Sequence, residues 1–133
     1  MNVEYVSTRD NSDRVSASCA ILRGLALDGG LYVPTSIPKL SRSLTELASM
    51  DYKQVAFEVM KLMLSDFTDD ELKSCIDGAY DSKFDTEQIA PLSYADGAYY
   101  LELYHGKTIA FKDMALSILP YLMTTAARKN NIT

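Results

Sequence analysis

The chain has 133 residues and a formal net charge of −5 at pH 7; 47% of its residues are hydrophobic and 23% are charged. This length supports one hydrophobic core but not two ordinary domains, and the composition is that of a folded globular protein. Nucleic acids and anionic membranes are bound through clustered lysine and arginine, so the acidic balance argues against both as partners. We therefore expect a single compact unit that binds small molecules or other proteins.

The two cysteines, Cys19 and Cys75, lie far apart in the sequence, and each falls on the apolar face of a predicted helix. This placement predicts buried, reduced thiols. With a single histidine in the chain, an ordinary zinc site is not expected. The N-terminus lacks the pattern of a secretory signal, and the longest apolar run falls well short of the ~20 residues of a membrane helix. We expect a cytoplasmic protein without a metal.

The N-terminal third predicts a strand, a helix and a second strand. Residues 3–8 have the composition of a short strand. The helix follows from apolar residues at helical spacing, at Val15, Cys19, Leu22 and Leu25. Ser16 would cap its start and Gly24 would lie near its end. Residues 28–30 then predict a turn into the short apolar strand 31–34.

The middle of the chain predicts two antiparallel helices. The first starts after Asp51 and places its apolar residues on one face: Tyr52, Val55, Ala56, Val59, Met60 and Met63. Lys53, Glu58 and Lys61 are expected to face water. Thr68 followed by Glu71 has the pattern of a capping box, which predicts the start of the second helix. Its apolar face consists of Leu72, Cys75, Ile76 and Ala79.

The C-terminal third predicts a β-hairpin and then a long helix. Residues 91–94 and 98–103 flank a tight turn at 95–97. An apolar stripe ending at Ala126 predicts a helix that begins near Lys112 and kinks at Pro120, where a helical hydrogen bond is lost. A new strand would start at 130–133 and make an unfinished βαβ unit. These elements predict an α/β fold, α+β-like in this part, with a small mixed sheet and packed helices.

Lys112 and Asp113 follow a glycine-containing loop and an apolar tripeptide, at a predicted strand-to-helix junction. The positive end of the helix favours a neutral, nucleophilic amine at Lys112, and burial of its stem beside Phe111 would act in the same direction. Asp113 acts in the opposite direction. The same residues also fit a phosphate site using Lys107 or Lys112, or a structural helix cap with both lysines solvated. Spacing alone leaves these alternatives open.

Four segments resemble those of a known family. They have the sequences YVSTR at 5–9, DGGLYVP at 28–34, IAPL at 89–92 and HGKTIAFKD at 105–113. Each resembles a segment of the threonine synthases, in the order and at the spacing of that family, and together they span nearly the whole chain. The chain is therefore similar to the N-terminal part of these fold-type II pyridoxal-phosphate enzymes.

The resemblance implies conversion of O-phosphohomoserine and water to threonine and phosphate. It assigns catalysis and the Schiff base with pyridoxal 5'-phosphate to Lys112, and further cofactor contacts to Phe111 and Asp113. It implies substrate contacts at Thr8, Arg9, His105 and Thr108. It also implies an N-terminal domain at 1–90 and the start of the coenzyme domain at 91–133, within a single compact unit.

Three residues depart from the family pattern: Lys107 replaces a proline, Asp10 replaces a glycine, where a positive φ would be strained, and Pro120 interrupts the helix. The loop for the cofactor phosphate and the partner of its pyridine nitrogen are expected downstream and do not occur in these residues. We therefore expect the chain by itself to be inactive and to bind little cofactor.

Two alternatives to threonine synthesis remain open. One is a related phospholyase that acts on another phosphorylated substrate. The other is a non-catalytic, threonine-synthase-like domain that binds a protein partner or assembles with itself through exposed strand edges. A stop codon directly after Thr133 would favour the second alternative.

Overall fold

The computed structural model describes residues 2–132. The strands in this range are β1 (Tyr5–Ser7), β2 (Tyr32–Pro34), β3 (Leu92–Ala95) and β4 (Ala98–Leu101). The helices are α1 (Ala17–Arg23), α2 (Leu44–Ala48), α3 (Tyr52–Met63), α4 (Asp69–Ala79), α5 (Asp113–Leu116) and α6 (Leu119–Lys129). This mixture of helices and short strands confirms the predicted fold class.

The strands form two separate antiparallel pairs rather than one mixed sheet. Strand β1 pairs with β2, and Val6 lies opposite Val33. Strands β3 and β4 form the predicted hairpin. Its turn residues Asp96 and Gly97 have φ values of 51° and 82°, the left-handed conformation that a two-residue type I′ turn requires.

Helix α1 begins and ends where the sequence predicts. Ser16 is its N-cap and accepts a hydrogen bond from the backbone of Cys19, and Gly24 ends the helix with φ 71°. Leu25 lies past the end of the helix and is exposed. Cys19 is only partly buried, so its predicted burial is wrong, whereas Cys75 is buried as predicted. The helix instead buries a face of small residues: Ala17, Ser18 and Ala20.

Helix α4 lies at the centre of the core. Its inward-facing side chains are at most 2% exposed: Leu72, Cys75, Ile76 and Ala79. Helices α3 and α6 both pack against α4, and α1 packs against α6. The predicted capping box is present, because Thr68 and Glu71 each accept a hydrogen bond from the other's backbone N–H. The sequence thus predicted this centre correctly.

Glu58 does not face water as predicted, because it is only 6% exposed. Its carboxylate lies 3.6 Å from a guanidinium nitrogen of Arg42 and 3.4 Å from the amine of Lys61. Arg42 lies two residues before α2, a short helix that was not predicted from the sequence. The capping box of Ser43 and Glu46 was the available signal for it. The two cations compensate the burial of the Glu58 carboxylate.

The predicted long helix is two helices, and the interruption falls at 117–118, directly before Pro120, where the sequence predicted a kink. Helix α5 ends at Leu116, and α6 starts at Leu119. Pro120 lies in the first turn of α6, where a missing N–H removes no helical hydrogen bond. Residues 130–132 form a turn and no strand; Thr133 lies outside the described residues. Within 2–132, no helix has the length and apolar character needed to cross a membrane.

Candidate functional site

Residues 105–112, here called the lysine loop, connect the hairpin to α5 without regular secondary structure. Lys112 is the N-cap of α5 and is exposed, and among residues 2–132 its amine has no hydrogen-bond or ion-pair partner. Phe111 does not bury the lysine stem, because Phe111 is itself 66% exposed. Helix α5 has four residues, so it supplies less positive charge than the predicted long helix would.

Asp113 closes the lysine loop from the first position of α5. Its side chain is buried and accepts two hydrogen bonds of 2.7 Å, from the backbone N–H and from the hydroxyl of Thr108. Gly106 packs directly against this side chain: a Cβ on Gly106 would lie 2.5 Å from the Cβ of Asp113. Glycine is therefore required at 106 for the carboxylate to reach Thr108.

Ile109 has a left-handed backbone in the middle of the lysine loop, with φ 65°. A β-branched side chain disfavours this conformation, which costs about 1–2 kcal/mol for an ordinary residue. Burial does not offset the cost, because the side chain is 73% exposed. The loop thus holds a strained conformation directly before Lys112.

Replacing Ile109 by asparagine is expected to raise the free energy of unfolding by about 1 kcal/mol, because asparagine tolerates the left-handed region. Urea unfolding followed by circular dichroism measures the change. Ile37→Asn is the matched control, since Ile37 is 86% exposed and does not have a positive φ. An equal change in both variants would contradict the assignment of strain to Ile109.

The ring of His105 is held between two carboxylates at the start of the lysine loop. Its Nδ1 lies 2.5 Å from Asp85 and its Nε2 lies 2.7 Å from Glu102. The ring also packs against Tyr104, with 4.6 Å between ring centroids. Hydrogen bonds to Glu102 and Asp85 raise the pKa of His105, and the bond to His105 lowers the pKa of Glu102. Neither acid was among the predicted site residues; the three-residue spacing of Glu102 and His105 is the only sequence signal for either of them.

An apolar groove of about 710 Å³ borders Lys112. Lys112 is the only charged residue among those that line it in the described part of the chain. The other lining residues are apolar or aromatic: Tyr52, Ala90, Leu101, Leu103, Phe111, Met114, Ala115 and Leu116. Met114, one of the lining residues, accepts a 2.7 Å hydrogen bond at its carbonyl from the hydroxyl of Tyr80, whose pKa is raised by burial. The groove can therefore hold a flat apolar ring beside a primary amine.

The YVSTR and DGGLYVP segments bind each other. The hydroxyl of Ser7 and the N–H of Gly30 both donate to one carboxylate oxygen of Asp28, at 2.7 and 2.9 Å. The pKa of Asp28 is lowered, mainly by the Ser7 hydroxyl. Thr8 accepts from the backbone of residue 31, and Arg9 donates to the carbonyl of Asp28 at 2.9 Å.

The predicted site residues therefore fall into two groups. His105, Thr108, Phe111, Lys112 and Asp113 lie together on or beside the lysine loop. Thr8 and Arg9 belong to a second group, here called the N-terminal cluster, which consists of residues 7–9 and 28–31. Within residues 2–132, no hydrogen bond or ion pair joins the two groups.

Asp10 shows none of the strain expected from replacing a glycine. Its backbone is outside the left-handed region, and its carboxylate accepts hydrogen bonds from the N–H and hydroxyl of Ser12. The condition for strain, a positive φ, is therefore not met at this position. In the part of the chain described here, no group of three His, Cys, Asp or Glu residues is arranged to hold a metal ion.

Known proteins resemble this chain in both sequence and structure. A family described as "Threonine synthase N terminus" matches residues 4–80. A threonine synthase from Schizosaccharomyces pombe is 41% identical over 133 aligned residues, which cover 97% of this chain and 26% of the relative. The Homo sapiens protein named Threonine synthase-like 2 is 38% identical over 117 residues, which cover 85% of this chain and 24% of the relative.

A crystal structure of threonine synthase from Brucella melitensis, with pyridoxal phosphate bound, matches with a TM-score of 0.86 at 30% identity. The match covers 98% of this chain and 28% of that chain. The present chain thus spans about a quarter of the length of the relatives it matches. From the family match, which includes more than half of its residues, the chain belongs to the threonine synthase family and represents its N-terminal part.

Proposed function

We propose that this chain is the N-terminal part of a threonine synthase that converts O-phosphohomoserine and water to threonine and phosphate. In this proposal Lys112 is the residue that binds pyridoxal 5'-phosphate covalently. The observation that carries the proposal is the exposed, unpaired amine of Lys112 at the edge of an apolar groove. Covalent catalysis by lysine requires an amine that the cofactor can reach and that no carboxylate holds, and Lys112 meets both conditions among residues 2–132.

The groove fits one half of the cofactor. Its apolar and aromatic walls suit a pyridine ring, and the exposed face of Phe111 is available to pack against it. The phosphate has no partner among the lining residues, because Lys112 is the only cation there. We therefore propose that the remainder of a longer protein supplies the phosphate site. When bound, pyridoxal phosphate supplies an electron sink for the substrate carbons.

The residues of this chain would perform three tasks. The amine of Lys112 would carry protons to and from the substrate carbons. Asp113 would hold the lysine loop in place through Thr108, since both of its hydrogen bonds go to that residue. Arg9 donates one hydrogen bond to Asp28, and its exposed guanidinium keeps further donors for the substrate phosphate or carboxylate, beside Thr8.

We propose that residues 1–90 correspond to the N-terminal domain of the family and that residues 91–133 begin its coenzyme domain. The two parts would form one compact unit. The packing of α6 against α1 and α4 supports the single unit, because this contact crosses the proposed boundary. We propose a cytoplasmic location; Cys19 and Cys75 form no disulfide with each other.

The decisive experiment traps the lysine that holds the cofactor. The longer protein that contains this chain is loaded with pyridoxal phosphate, reduced with borohydride and digested, and mass spectrometry locates the pyridoxyl group. We expect the label on the peptide with Lys112. A label on another lysine, or no label in a correctly folded protein, would refute the proposal.

A related phospholyase that acts on another phosphorylated substrate is the second candidate, because the relatives include a protein named only Threonine synthase-like 2, whose similarity to this chain falls in the same range as that of the threonine synthases. Phosphate release is compared for O-phosphohomoserine and for other phosphorylated amino acids. Threonine as the main product supports threonine synthesis. Faster phosphate release from another substrate, without threonine, supports the phospholyase.

A further inference from the structure

His105 joins three segments of the chain at the point where the lysine loop begins. Asp85 belongs to the connection after α4, and Glu102 follows β4 directly. A backbone hydrogen bond of 3.0 Å, from the N–H of Asp85 to the carbonyl of His105, adds to the two side-chain contacts. We call the side chains of His105, Asp85 and Glu102 the histidine clasp.

Both ring nitrogens of His105 face carboxylate oxygens, which only accept hydrogen bonds when ionised. A neutral imidazole has one N–H donor, so it satisfies only one of the two carboxylates; an imidazolium satisfies both. The charged or titratable groups around the ring are Asp85, Glu102 and the hydroxyl of Tyr104. The clasp is therefore complete only when His105 is protonated.

We propose that His105 is a positioning residue, whose imidazolium fixes the start of the lysine loop and whose deprotonation loosens the loop that carries Lys112. This assigns His105 a different task from the substrate contact implied by the family resemblance, because neither ring nitrogen is free for a substrate. The lysine loop is then held at both ends, by His105 at its start and by Asp113 just after its end. The relevance to catalysis rests on the proposed role of Lys112.

The pH dependence of the clasp follows from two shifts of opposite sign. The pKa of His105 is raised above 6.5, so its stabilisation is complete below pH 6.5 and is lost as the pH rises through the folded value. The pKa of Glu102 is lowered below 4.5, so its stabilisation is present above pH 4.5 and is lost as the pH falls through the folded value. The clasp is thus strongest between pH 4.5 and pH 6.5.

The chain has one histidine, so its ring signals are unambiguous in an NMR spectrum. We expect both ring nitrogens to carry protons at pH 6, and a titration midpoint above 6.5. The chemical shifts of the backbone amides of 106–112 should change with the same midpoint. After correction for the intrinsic pH dependence of amide exchange, the hydrogen-exchange rates of these amides should increase about tenfold once His105 is neutral. The amide of Leu31, in the N-terminal cluster, is the internal control and should not follow this titration.

Two variants distinguish the effect of the histidine clasp on the lysine loop from other effects of pH on the protein. Glu102→Gln removes one carboxylate and should lower the His105 midpoint. His105→Gln should leave the amides of 106–112 at their high-pH positions throughout, with no titration between pH 6 and pH 9. The proposal is overturned if His105 is neutral at pH 6, or if the loop amides do not follow its titration.

This test is independent of the identity of the cofactor lysine, because it uses no coenzyme. A failure of the borohydride experiment with a positive titration would refute only the proposed function. In the longer protein, His105→Gln should lower kcat more than it changes KM for the substrate, and should remove the fall in kcat at alkaline pH that is due to His105. An unchanged alkaline profile would overturn the positioning role.

Discussion

Lys112→Ala is expected to lower kcat for phosphate release from O-phosphohomoserine roughly 10³-fold or more in the longer protein of which we propose this chain is a part. The variant loses both the covalent attachment point of the cofactor and the group that moves protons at the substrate, and each contribution is large. Lys112→Arg should be equally inactive, because arginine is charged but cannot act as a neutral nucleophile. Steady-state kinetics and the absorbance of the lysine-bound coenzyme measure both effects.

The matched control is Lys39→Ala, since Lys39 is an exposed lysine in the connection between β2 and α2. It should retain the activity and the absorbance of the unmodified protein. Thermal unfolding should show that Lys112→Ala folds normally, because its side chain is exposed and has no partner among the described residues. Activity within tenfold of the unmodified protein would exclude Lys112 as the coenzyme lysine.

Gly106→Ala is expected to reduce the free energy of unfolding by about 3 kcal/mol, the largest effect on stability that we predict for one methyl group. The added Cβ would lie 2.5 Å from the Cβ and 2.6 Å from a carboxylate oxygen of Asp113. Relief of this overlap requires Asp113 to move away from Thr108, so overpacking is combined with the loss of charge-assisted hydrogen bonds. Urea unfolding of the chain measures the change.

A double-mutant cycle assigns this effect to the contact itself. In the Asp113→Gly background the overlapping atoms are absent, so Gly106→Ala should then cost less than about 1 kcal/mol. The single Asp113→Gly variant corrects for the glycine introduced at the start of α5. Equal costs of Gly106→Ala in both backgrounds would show that the alanine is disfavoured for a reason unrelated to Asp113.

The sequence correctly predicted the helices and turns whose capping residues, turn residues and apolar stripes favour the same structure as their tertiary packing. Ser16, Thr68 and the Asp96-Gly97 turn lie where their capping and turn preferences place them. The apolar stripe of α4 is buried because α3 and α6 both pack against α4. The candidate site was predicted as a list of residues on one loop and one N-terminal segment, from the resemblance to threonine synthases.

The remaining features depend on contacts between distant segments, which the spacing of residues does not encode. Glu58 has the position of a solvent-facing residue in its helix, and its burial is compensated by Lys61 on the same helix and by Arg42 from a distant segment. Ile109 has a left-handed backbone that no preference of isoleucine predicts. Asp85 and Glu102 are ordinary acids in the sequence, and the fold brings both to the single histidine.

The shared core has a consequence for how the parts of this molecule can move. Ile118, Leu122 and Ala126 from the C-terminal segment complete the same hydrophobic cluster as Leu72 and Ile76. A chain shortened at residue 90 would expose this face of α4 to water, so we expect it to aggregate rather than fold as a smaller domain. In the longer protein that we propose, α4 and α6 would therefore move together as one unit, and any hinge would lie outside these two helices.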